Sequence, residues 1–334
     1  MNNNSQAAKP VLVTGADGFL GSNIVRALLD QGHKVRALLE PERNTGTLDG
    51  LNVEFVRGDL FDRLSRRKAL EGAGALIHTV ASTAVWPSRD PRLAPLNIGV
   101  ALDLAKDAKA AGLARFVHIG TANSFAAGSK EKPGTEEGTY DAARFGLDYQ
   151  DTKREAQERL LSLGDEGPEI IVVNPSFMFG PYDSKPGSGE MLIQVARGAV
   201  PGASPGGRCF ADVRDVAAGA VAALERGKPG SCYILGGENL SYMELFTKIA
   251  AVTGVKAPRR TMPAALVLAF GWLSERGAAL LGKQPKVSLA MARIACEGQY
   301  YSSAKASSDL GYIIHPIDGA IDAAYAWFKD KGML

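Results

Sequence analysis

Cysteine and histidine are both scarce in this chain of 334 residues. The cysteines lie far apart and form no C-x-x-C pair, so the sequence excludes a disulfide framework and favours buried thiols in a reducing compartment. The histidines share no i,i+4 spacing with one another or with a cysteine, which argues against a zinc site. We therefore expect no bound metal. The residues concerned are Cys209, Cys232, Cys296, His33, His78, His118 and His315.

A large excess of one charge sign and a long unbroken apolar run are also missing. The 38 basic and 36 acidic residues are mixed along the chain, so we expect no cationic face for nucleic acid. Ser274, Glu275 and Arg276 interrupt the apolar stretch 262–281 well short of the roughly 20 residues of a membrane span. We expect a buried or surface-docking helix there. Residues 1–9 lack the apolar core of a secretory signal, which favours the cytoplasm.

The chain instead shows a regular alternation of short apolar runs with helical stretches. Such alternation predicts an α/β fold, a Rossmann-type doubly wound parallel sheet whose strands are joined by crossover helices. The first six predicted strands are residues 11–15, 34–40, 53–59, 75–81, 115–120 and 169–175.

The pattern changes after the sixth strand. Residues 179–207 are rich in glycine and proline, with one helical segment at 190–197, and loops of this length are usually functional. Residues 231–237 return to the sheet, and residues 241–298 are mostly helical. We predict a dinucleotide-binding Rossmann domain of residues 1–175 plus 209–237. Residues 176–208 plus 238–334 would form a smaller, mainly helical substrate lobe.

Three glycines follow the first strand at a spacing of three residues. Gly15, Gly18 and Gly21 stand between that strand and a helix predicted to begin near Ser22. Glycines there let the backbone approach a pyrophosphate, and the helix N-terminus offers free N–H groups to the anion. The spacing is G-x-x-G-x-x-G rather than G-x-G-x-x-G. The alternative is a tight turn without a ligand, but the position between strand and helix favours a dinucleotide.

An acidic residue ends the second strand. Glu40 can accept hydrogen bonds from a ribose diol and would repel a 2′-phosphate, which slightly favours NAD over NADP. Arg36 and Arg43 are close enough in sequence to reach a phosphate, and a solvent-facing Glu40 is the simple alternative. Asp59 follows the third strand and would either contact the adenine or cap the next helix, a cap that Asp62 could also provide.

A tyrosine and a lysine lie four residues apart on a predicted helix. This spacing places the phenol of Tyr149 and the ammonium of Lys153 on one helix face, one turn apart. Bringing a phenol from a pKa near 10 to about 7 requires roughly 4 kcal/mol of phenolate stabilisation, which a lysine and a nicotinamide ring can supply. Thr121 follows the fifth strand and would place its hydroxyl at the ligand-binding edge of the sheet. Together the three residues indicate an acid/base site rather than an exposed pair.

These elements resemble the extended short-chain dehydrogenase/reductase superfamily, the NAD-dependent epimerase/dehydratase family. The resemblance covers nearly the whole chain and is greatest to the dihydroflavonol-reductase-like branch and its hopanoid-associated sugar-epimerase relatives. Further matching elements are G-D-L at 58–60, the strand end at 78–81, Asn97, N-P-S at 174–176 followed by Gly180-Pro181, D-V-R-D-V at 212–216 and Y-I-L-G-G-E-N at 233–239.

The resemblance implies a role for each matching residue. Tyr149 would be the general acid/base, Lys153 would hold the nicotinamide ribose and lower the pKa of the phenol, and Thr121 would bind the substrate oxygen. Asn97 would support the proton relay, or would only cap or kink its helix. A homodimer is also the family expectation. The implied cofactor-binding set is Gly15, Asp17, Gly18, Phe19, Leu20, Gly21, Glu40, Asp59, Leu60, Val80, Ala81, Tyr149, Lys153, Pro175, Phe177 and Met178.

The chain departs from this family pattern at the cofactor side. Thr121 stands where many members have serine, and Ile119-Gly120 replaces a Thr-Ser pair. Glu40 stands where reductase-type relatives often have an arginine for the 2′-phosphate of NADP. The choice between NAD and NADP therefore stays open, with NAD slightly favoured.

Loops after the fourth, fifth and sixth strands should contact the substrate. Several of their residues are apolar or aromatic, which suits a lipophilic or ring-bearing small molecule, although each could simply pack the lobe. Arg208, predicted on the loop returning to the sheet, is the one obvious cation for a sugar diphosphate. The predicted substrate residues are Ser82, Trp86, Thr121, Phe125, Ser176, Tyr182, Met191 and Arg208, with Phe177 and Met178 close by.

The sequence thus predicts an oxidoreductase that interconverts a secondary alcohol and a ketone, or reduces an aldehyde. The second hypothesis is a nucleotide-sugar epimerase or dehydratase that retains its NAD. The third, a redox-sensing protein that only binds NAD(P), is disfavoured because such a protein can dispense with the tyrosine and the lysine.

Overall fold

A seven-stranded parallel sheet forms the centre of the computed structural model, which describes residues 9–334. The strand order is β3-β2-β1-β4-β5-β6-β9, so the predicted doubly wound α/β fold is confirmed. The polar start of the chain, residues 1–8, lies outside the described residues. These strands are β1 (Val11–Thr14), β2 (Val35–Leu39), β3 (Val53–Arg57), β4 (Ala75–His78), β5 (Arg115–Ile119), β6 (Glu169–Pro175) and β9 (Cys232–Leu235).

Helices cover both faces of this sheet, so its central strands are apolar on both sides. Val13 packs in one core cluster, with residues of α1 and α6, whereas Leu12 packs in the opposite cluster, with residues of α2, α3 and α4. Both side chains are fully buried, as is usual for a parallel sheet. The helices on these faces are α1 (Phe19–Asp30), α2 (Arg63–Leu70), α3 (Ala101–Ala110), α4 (Asp148–Leu161) and α6 (Val213–Arg226).

The remaining helices lie in the segments predicted as the substrate lobe, and they confirm that residues 241–298 are mostly helical. A capping box between Ser241 and Glu244 fixes the start of the helix Tyr242–Thr253, because each side chain accepts a hydrogen bond from the backbone N–H of the other residue. Among residues 9–334, no helix combines the length and apolarity that crossing a membrane requires. The helices are α5 (Gly189–Ala196), α7 (Tyr242–Thr253), α8 (Ala264–Leu280), α9 (Leu289–Ala295), α10 (Ala304–Leu310) and α11 (Ile317–Asp330).

The lobe also contains a small sheet that the sequence did not predict. Its strands are β7 (Phe177–Phe179), β8 (Gly207–Asp212), β10 (Glu238–Ser241) and β11 (Gly298–Gln299), with β8 pairing with the other three. Arg208 is therefore part of a strand, and the expectation of a loop at this position was wrong. The predicted domain boundary at residue 209 falls inside β8. This strand pairs with β7, β10 and β11, so it belongs to the small sheet and not to the main sheet.

Helix starts settle two smaller expectations. The first helix begins at Phe19, three residues before the predicted start at Ser22. Asp62 caps α2 by accepting from the N–H groups of Leu64 and Ser65. Asp59 instead accepts from the Phe61 N–H at 2.9 Å, so the helix cap belongs to Asp62.

Candidate active site

One cavity of about 650 Å³ opens at the carboxyl edge of the main sheet, where β1, β4, β5 and β6 end. Ligands of doubly wound folds bind at this edge. The cavity brings together most of the residues that the sequence predicted for it: Gly15, Asp17, Gly18, Phe19, Leu20, Gly21, Val80, Ala81, Thr121, Tyr149, Lys153, Pro175, Ser176, Phe177, Met178 and Arg208.

The glycine-rich turn has the geometry of an anion cradle. Gly15 adopts a φ of +70°, and a Cβ at Gly21 would lie 2.0 Å from the Gly15 carbonyl oxygen, so both positions require glycine. Gly18 is the N-cap of α1 but supplies no side-chain cap, and the first turn contains no acidic residue. The first N–H groups of α1 therefore have no side-chain cap, and the turn lines the cavity, which fits a dinucleotide pyrophosphate.

Arg43 connects the end of β2 to this turn. Its Nε donates to a carboxylate oxygen of Asp17 at 2.7 Å, and one of its terminal nitrogens lies 3.4 Å from the carboxylate of Glu40. Arg43 lines the cavity, whereas Glu40 has an exposed side chain outside its lining. Arg36 donates instead to the Ala69 carbonyl and pairs with Glu54, so of the two arginines considered only Arg43 faces the site.

Tyr149 and Lys153 face the cavity from the first turns of α4, opposite Thr121 at the end of β5. Burial raises the pKa of the Tyr149 phenol, and a hydrogen bond with the Thr121 hydroxyl and the charge of Arg208 oppose that rise. Burial lowers the pKa of Lys153 to about 7. The Lys153 ammonium donates to the main-chain carbonyl of Ile119. In the protein without a ligand, the Tyr149 phenol is therefore protonated at neutral pH, and Lys153 gains or loses its proton near neutral pH.

Two buried histidines, His78 and His118, lie close to Lys153, and neither was predicted as a site residue. His118 Nε2 is 3.5 Å from Lys153 Nζ, and the His78 and His118 rings are 5.5 Å apart. Burial and the Lys153 charge lower the pKa of both rings, to about 3 for His78. Both rings are thus neutral, and His78 Nδ1 shares a hydrogen bond of 2.7 Å with the Thr14 hydroxyl. Each histidine stands at or near the end of a buried apolar strand, β4 or β5, where the sequence pattern indicates core packing.

Asn97 lies behind the cavity wall rather than in it. It belongs to a π-helical turn, Pro95–Val100, directly before α3. Its carboxamide accepts from the Ser82 N–H at 2.7 Å and donates to the Ser82 carbonyl at 3.1 Å and to the Thr152 hydroxyl at 3.0 Å. The side chain therefore connects the loop after β4 to the residue next to Lys153.

Several predicted contacts lie outside the cavity lining. Phe125 packs with Ile234 and Tyr301, because the short helical turn after Thr121 directs it into the core. Tyr182 has a positive φ and lies under the Arg26 guanidinium, and Met191 packs against the core of the lobe. Four further residues are also absent from the lining, although Ala81 and Thr83 on either side of Ser82 belong to it: Ser82, Trp86, Asp59 and Leu60.

Residues far along the chain complete the site. Arg208 lines the cavity from β8, where its Nε donates to the Tyr242 hydroxyl at 2.8 Å. Apolar residues from several distant segments form one wall of the cavity, and the sequence carried no local signal for them. The lining residues that were not predicted for it include Val85, Leu147, Gln150, Met291, Ile294 and Tyr301.

The described residues, 9–334, contain neither a candidate metal site nor a disulfide. In the described part of the chain, no three histidine, cysteine, aspartate or glutamate residues are grouped to hold a metal ion. The three cysteines are free thiols; Cys209 is buried, and Cys232 and Cys296 are partly exposed.

Known proteins resemble the chain over almost its full length. Residues 11–236 match the model of the NAD dependent epimerase/dehydratase family. A Synechocystis protein provisionally named dihydroflavonol 4-reductase is 34% identical, covering 96% of this chain and 94% of that protein. Sterol demethylase protein B of Methylococcus capsulatus is 31% identical, covering 97% and 99%. The crystal structure of gox2253 is 32% identical with a TM-score of 0.85, covering 98% and 99%.

Proposed function

Because the chain belongs to the NAD-dependent epimerase/dehydratase family of extended short-chain dehydrogenases/reductases, we propose that it interconverts a secondary alcohol and a ketone, or reduces an aldehyde, on a lipophilic or ring-bearing small molecule. One observation carries the proposal: Thr121, Tyr149 and Lys153 line the same cavity as an apolar wall that includes Met291 and Ile294. A hydroxyl-bearing apolar substrate matches both sides of this cavity.

The chain's own residues have separate tasks in this reaction. The nicotinamide cofactor, when bound, accepts or supplies the hydride. Tyr149 donates a proton from its hydroxyl to the substrate oxygen during reduction and takes it back during oxidation. Thr121 orients that oxygen by a hydrogen bond, and Lys153 holds positive charge beside the phenol when the proton leaves. The raised pKa of Tyr149 in the protein alone favours the protonated, donating form.

We propose NAD as the preferred cofactor, with NADP as the alternative. The glycine-rich turn supports a pyrophosphate at the N-terminus of α1. Glu40 supplies a carboxylate at the end of β2, where it would accept from a ribose diol and repel a 2′-phosphate. Its ion pair with Arg43 offsets part of the positive charge that would otherwise attract that phosphate.

We also propose a homodimer, which the family resemblance implies, and a cytoplasmic location, which the amino-acid sequence favours. Sedimentation velocity of the purified chain measures the first. A monomer at all concentrations would contradict it. Fractionation of the producing cell addresses the second.

The second candidate is a nucleotide-sugar epimerase or dehydratase that retains NAD. The family description favours it, because it names epimerases and dehydratases. Arg208 is a cation on the substrate side of the cavity, but it is already bonded to Tyr242 and stacks over Phe177 at 5.0 Å. An epimerase should purify with bound dinucleotide and convert a sugar nucleotide without consuming added NAD.

A substrate panel with two tyrosine variants tests the proposal. Secondary alcohols, ketones, aldehydes and sugar nucleotides are assayed with NAD(H) and NADP(H) by absorbance of the reduced coenzyme. Tyr149→Phe should lower kcat at least a hundredfold, a loss typical of a missing general acid/base, whereas Tyr325→Phe on α11 should leave it unchanged. Unaltered turnover in Tyr149→Phe would overturn the mechanism. Coenzyme binding without turnover of any compound would favour a sensor.

A further inference from the structure

Helix α8 exposes a row of large apolar side chains to solvent. Leu266, Phe270, Leu273 and Leu280 are 61%, 51%, 61% and 88% exposed. Their spacings of four, three and seven residues place them on one side of the helix. They form the α8 stripe. Single exposed apolar residues are common, but a row of large ones on a helix marks an interaction surface.

The other side of α8 is already packed. Val267, Gly271 and Ala278 are buried, and a Cβ at Gly271 would lie 2.6 Å from the Cβ of Ala292 on α9. The helix is therefore held firmly by α9 while the α8 stripe points outward.

The segment around α8 is strongly basic although the whole chain is nearly neutral. Residues 254–287 contain six basic residues and one acidic residue, against a net charge of +2 for all 334 residues. The basic side chains are exposed, and within residues 9–334 none of them forms an ion pair. They flank the α8 stripe at both ends of the helix and once within it: Lys256, Arg259, Arg260, Arg276, Lys283 and Lys286.

We propose that α8 docks on the surface of a membrane that contains anionic phospholipids. An apolar helix face bordered by lysine and arginine binds at the boundary between headgroups and acyl chains. There, burial of the apolar side chains and attraction of the cations to anionic lipids both stabilise binding. Trp272 carries the Arg276 guanidinium 5.7 Å over its ring and would lie at the headgroup level. The 17 residues of α8 would lie along the surface without crossing it.

Charge argues against a second copy of the chain as the occupant. A symmetric contact through the α8 stripe would bring two identical basic segments together. Anionic headgroups instead neutralise these cations.

The position of α8 connects this surface to the cavity. Its partner α9 carries Met291 and Ile294, which line the apolar wall of the cavity. A docked protein would therefore hold that wall close to the lipid, an arrangement suited to a lipophilic substrate. This last step rests on the proposed function; membrane docking itself does not.

Vesicle binding of the full chain tests the proposal. Co-sedimentation is measured with vesicles of phosphatidylcholine alone and with vesicles of equal parts phosphatidylcholine and phosphatidylglycerol. The wild-type chain should bind the anionic vesicles at least tenfold better, and high salt should weaken that binding. Absence of binding to anionic vesicles would overturn the proposal, whatever the enzyme assays show.

Two variants and one matched control locate the surface. Replacing the four residues of the α8 stripe with serine should reduce binding to anionic vesicles at least tenfold. Replacing Lys283 and Lys286 with glutamate should do the same, and it preserves a test if the first variant fails to fold. The control, Phe61→Ser with Leu64→Ser, removes two residues that are 58% and 75% exposed elsewhere and should bind like wild type.

The remaining outcomes are equally decisive. Equal loss of binding in the control would overturn the assignment to α8. If the stripe variant instead changes a dimer into a monomer without altering vesicle binding, the surface joins two copies and the proposal fails. Turnover of a water-soluble substrate without vesicles should be the same for wild type and variants, so failure of docking and failure of the enzyme mechanism are distinguishable.

Discussion

The ammonium of Lys153 donates a hydrogen bond to the main-chain carbonyl of Ile119, the last residue of β5. This contact holds a buried cation at the edge of the sheet where the cofactor would lie. The lysine is therefore positioned before any ligand binds, at a cost to stability that can be measured.

Replacing Lys153 with methionine should stabilise the coenzyme-free protein at low pH. Burial lowers the pKa of this lysine from 10.5 to about 7. Below pH 7 it is charged in both the folded and unfolded chains, and the folded chain bears the full cost of burying the charge. As the pH rises from 7 towards 10.5, the folded chain loses the proton first, so the free energy of unfolding rises.

The variant should lack this rise and gain about 1–3 kcal/mol at pH 6, the usual cost of a poorly compensated buried polar group. Urea unfolding between pH 6 and pH 9 measures both effects. Lys109→Met, at an exposed position on α3, is the control and should follow wild type. Parallel pH profiles for wild type and Lys153→Met would refute the argument.

Alanine substitutions at two glycines of the turn after β1 should have different effects, one mainly on stability and the other mainly on dinucleotide binding. A Cβ at Gly21 would lie 2.0 Å from the Gly15 carbonyl oxygen, so Gly21→Ala should lower the melting temperature clearly. A Cβ at Gly18 would meet only the same oxygen, at 3.2 Å, and its φ of −77° suits alanine. Gly18→Ala should lower the melting temperature far less than Gly21→Ala, because the Gly15 oxygen needs to move only a few tenths of an ångström. It should bind dinucleotide at least tenfold more weakly, because the methyl group occupies the approach to the N-terminus of α1.

Thermal unfolding and calorimetric titration with NAD measure the two effects. Equal NAD affinity for wild type and Gly18→Ala would show that the pyrophosphate does not use this turn.

The main sheet was predictable because most of its strands are short apolar runs buried on both faces; the edge strand β3, Val53–Arg57, is the partly exposed exception. Val11–Thr14 and Glu169–Pro175, for example, carry that signal locally. The small sheet of the lobe was not predictable. Its strand β11 has two residues, Gly298–Gln299, and pairs with Gly207 and Arg208, about 90 positions earlier in the chain. Such pairing depends on tertiary packing, which leaves no periodicity in the sequence.

The candidate site likewise has one part that local sequence patterns predicted and another part that only tertiary packing brings to the cavity. Gly15, Thr121 and Tyr149 stand at strand ends or on a helix beside them, so their sequence spacing predicted their positions. Met291 and Ile294 reach the cavity only because α9 packs against it, and nothing local marks them. Phe125 shows the converse error: an aromatic residue after β5 suggested a substrate contact, but it packs against Tyr301 in the core.

Reversing the charge at the end of β2 should change the choice of cofactor. Glu40→Arg removes the carboxylate that pairs with Arg43 and leaves two cations where a 2′-phosphate would bind. The ratio of kcat/KM for NADP to that for NAD should rise at least tenfold. Glu42→Arg makes the same charge change two residues away and should alter the ratio little. A ratio that moves equally in both variants would mean that the long-range charge decides, and not the contact at position 40.

Removing the carboxamide of Asn97 should loosen the support of Lys153 without touching the cavity lining. Asn97→Ala leaves the Ser82 backbone and the Thr152 hydroxyl without their shared partner, which should cost about 1–3 kcal/mol of unfolding free energy. A positioning role predicts a lower kcat at every pH with an unchanged pH profile, and a coupling energy with Thr152→Val in a double-mutant cycle. The exposed Asn52→Ala should be neutral in both measurements. A pH profile that shifts in Asn97→Ala, with stability retained, would instead place Asn97 in the proton relay.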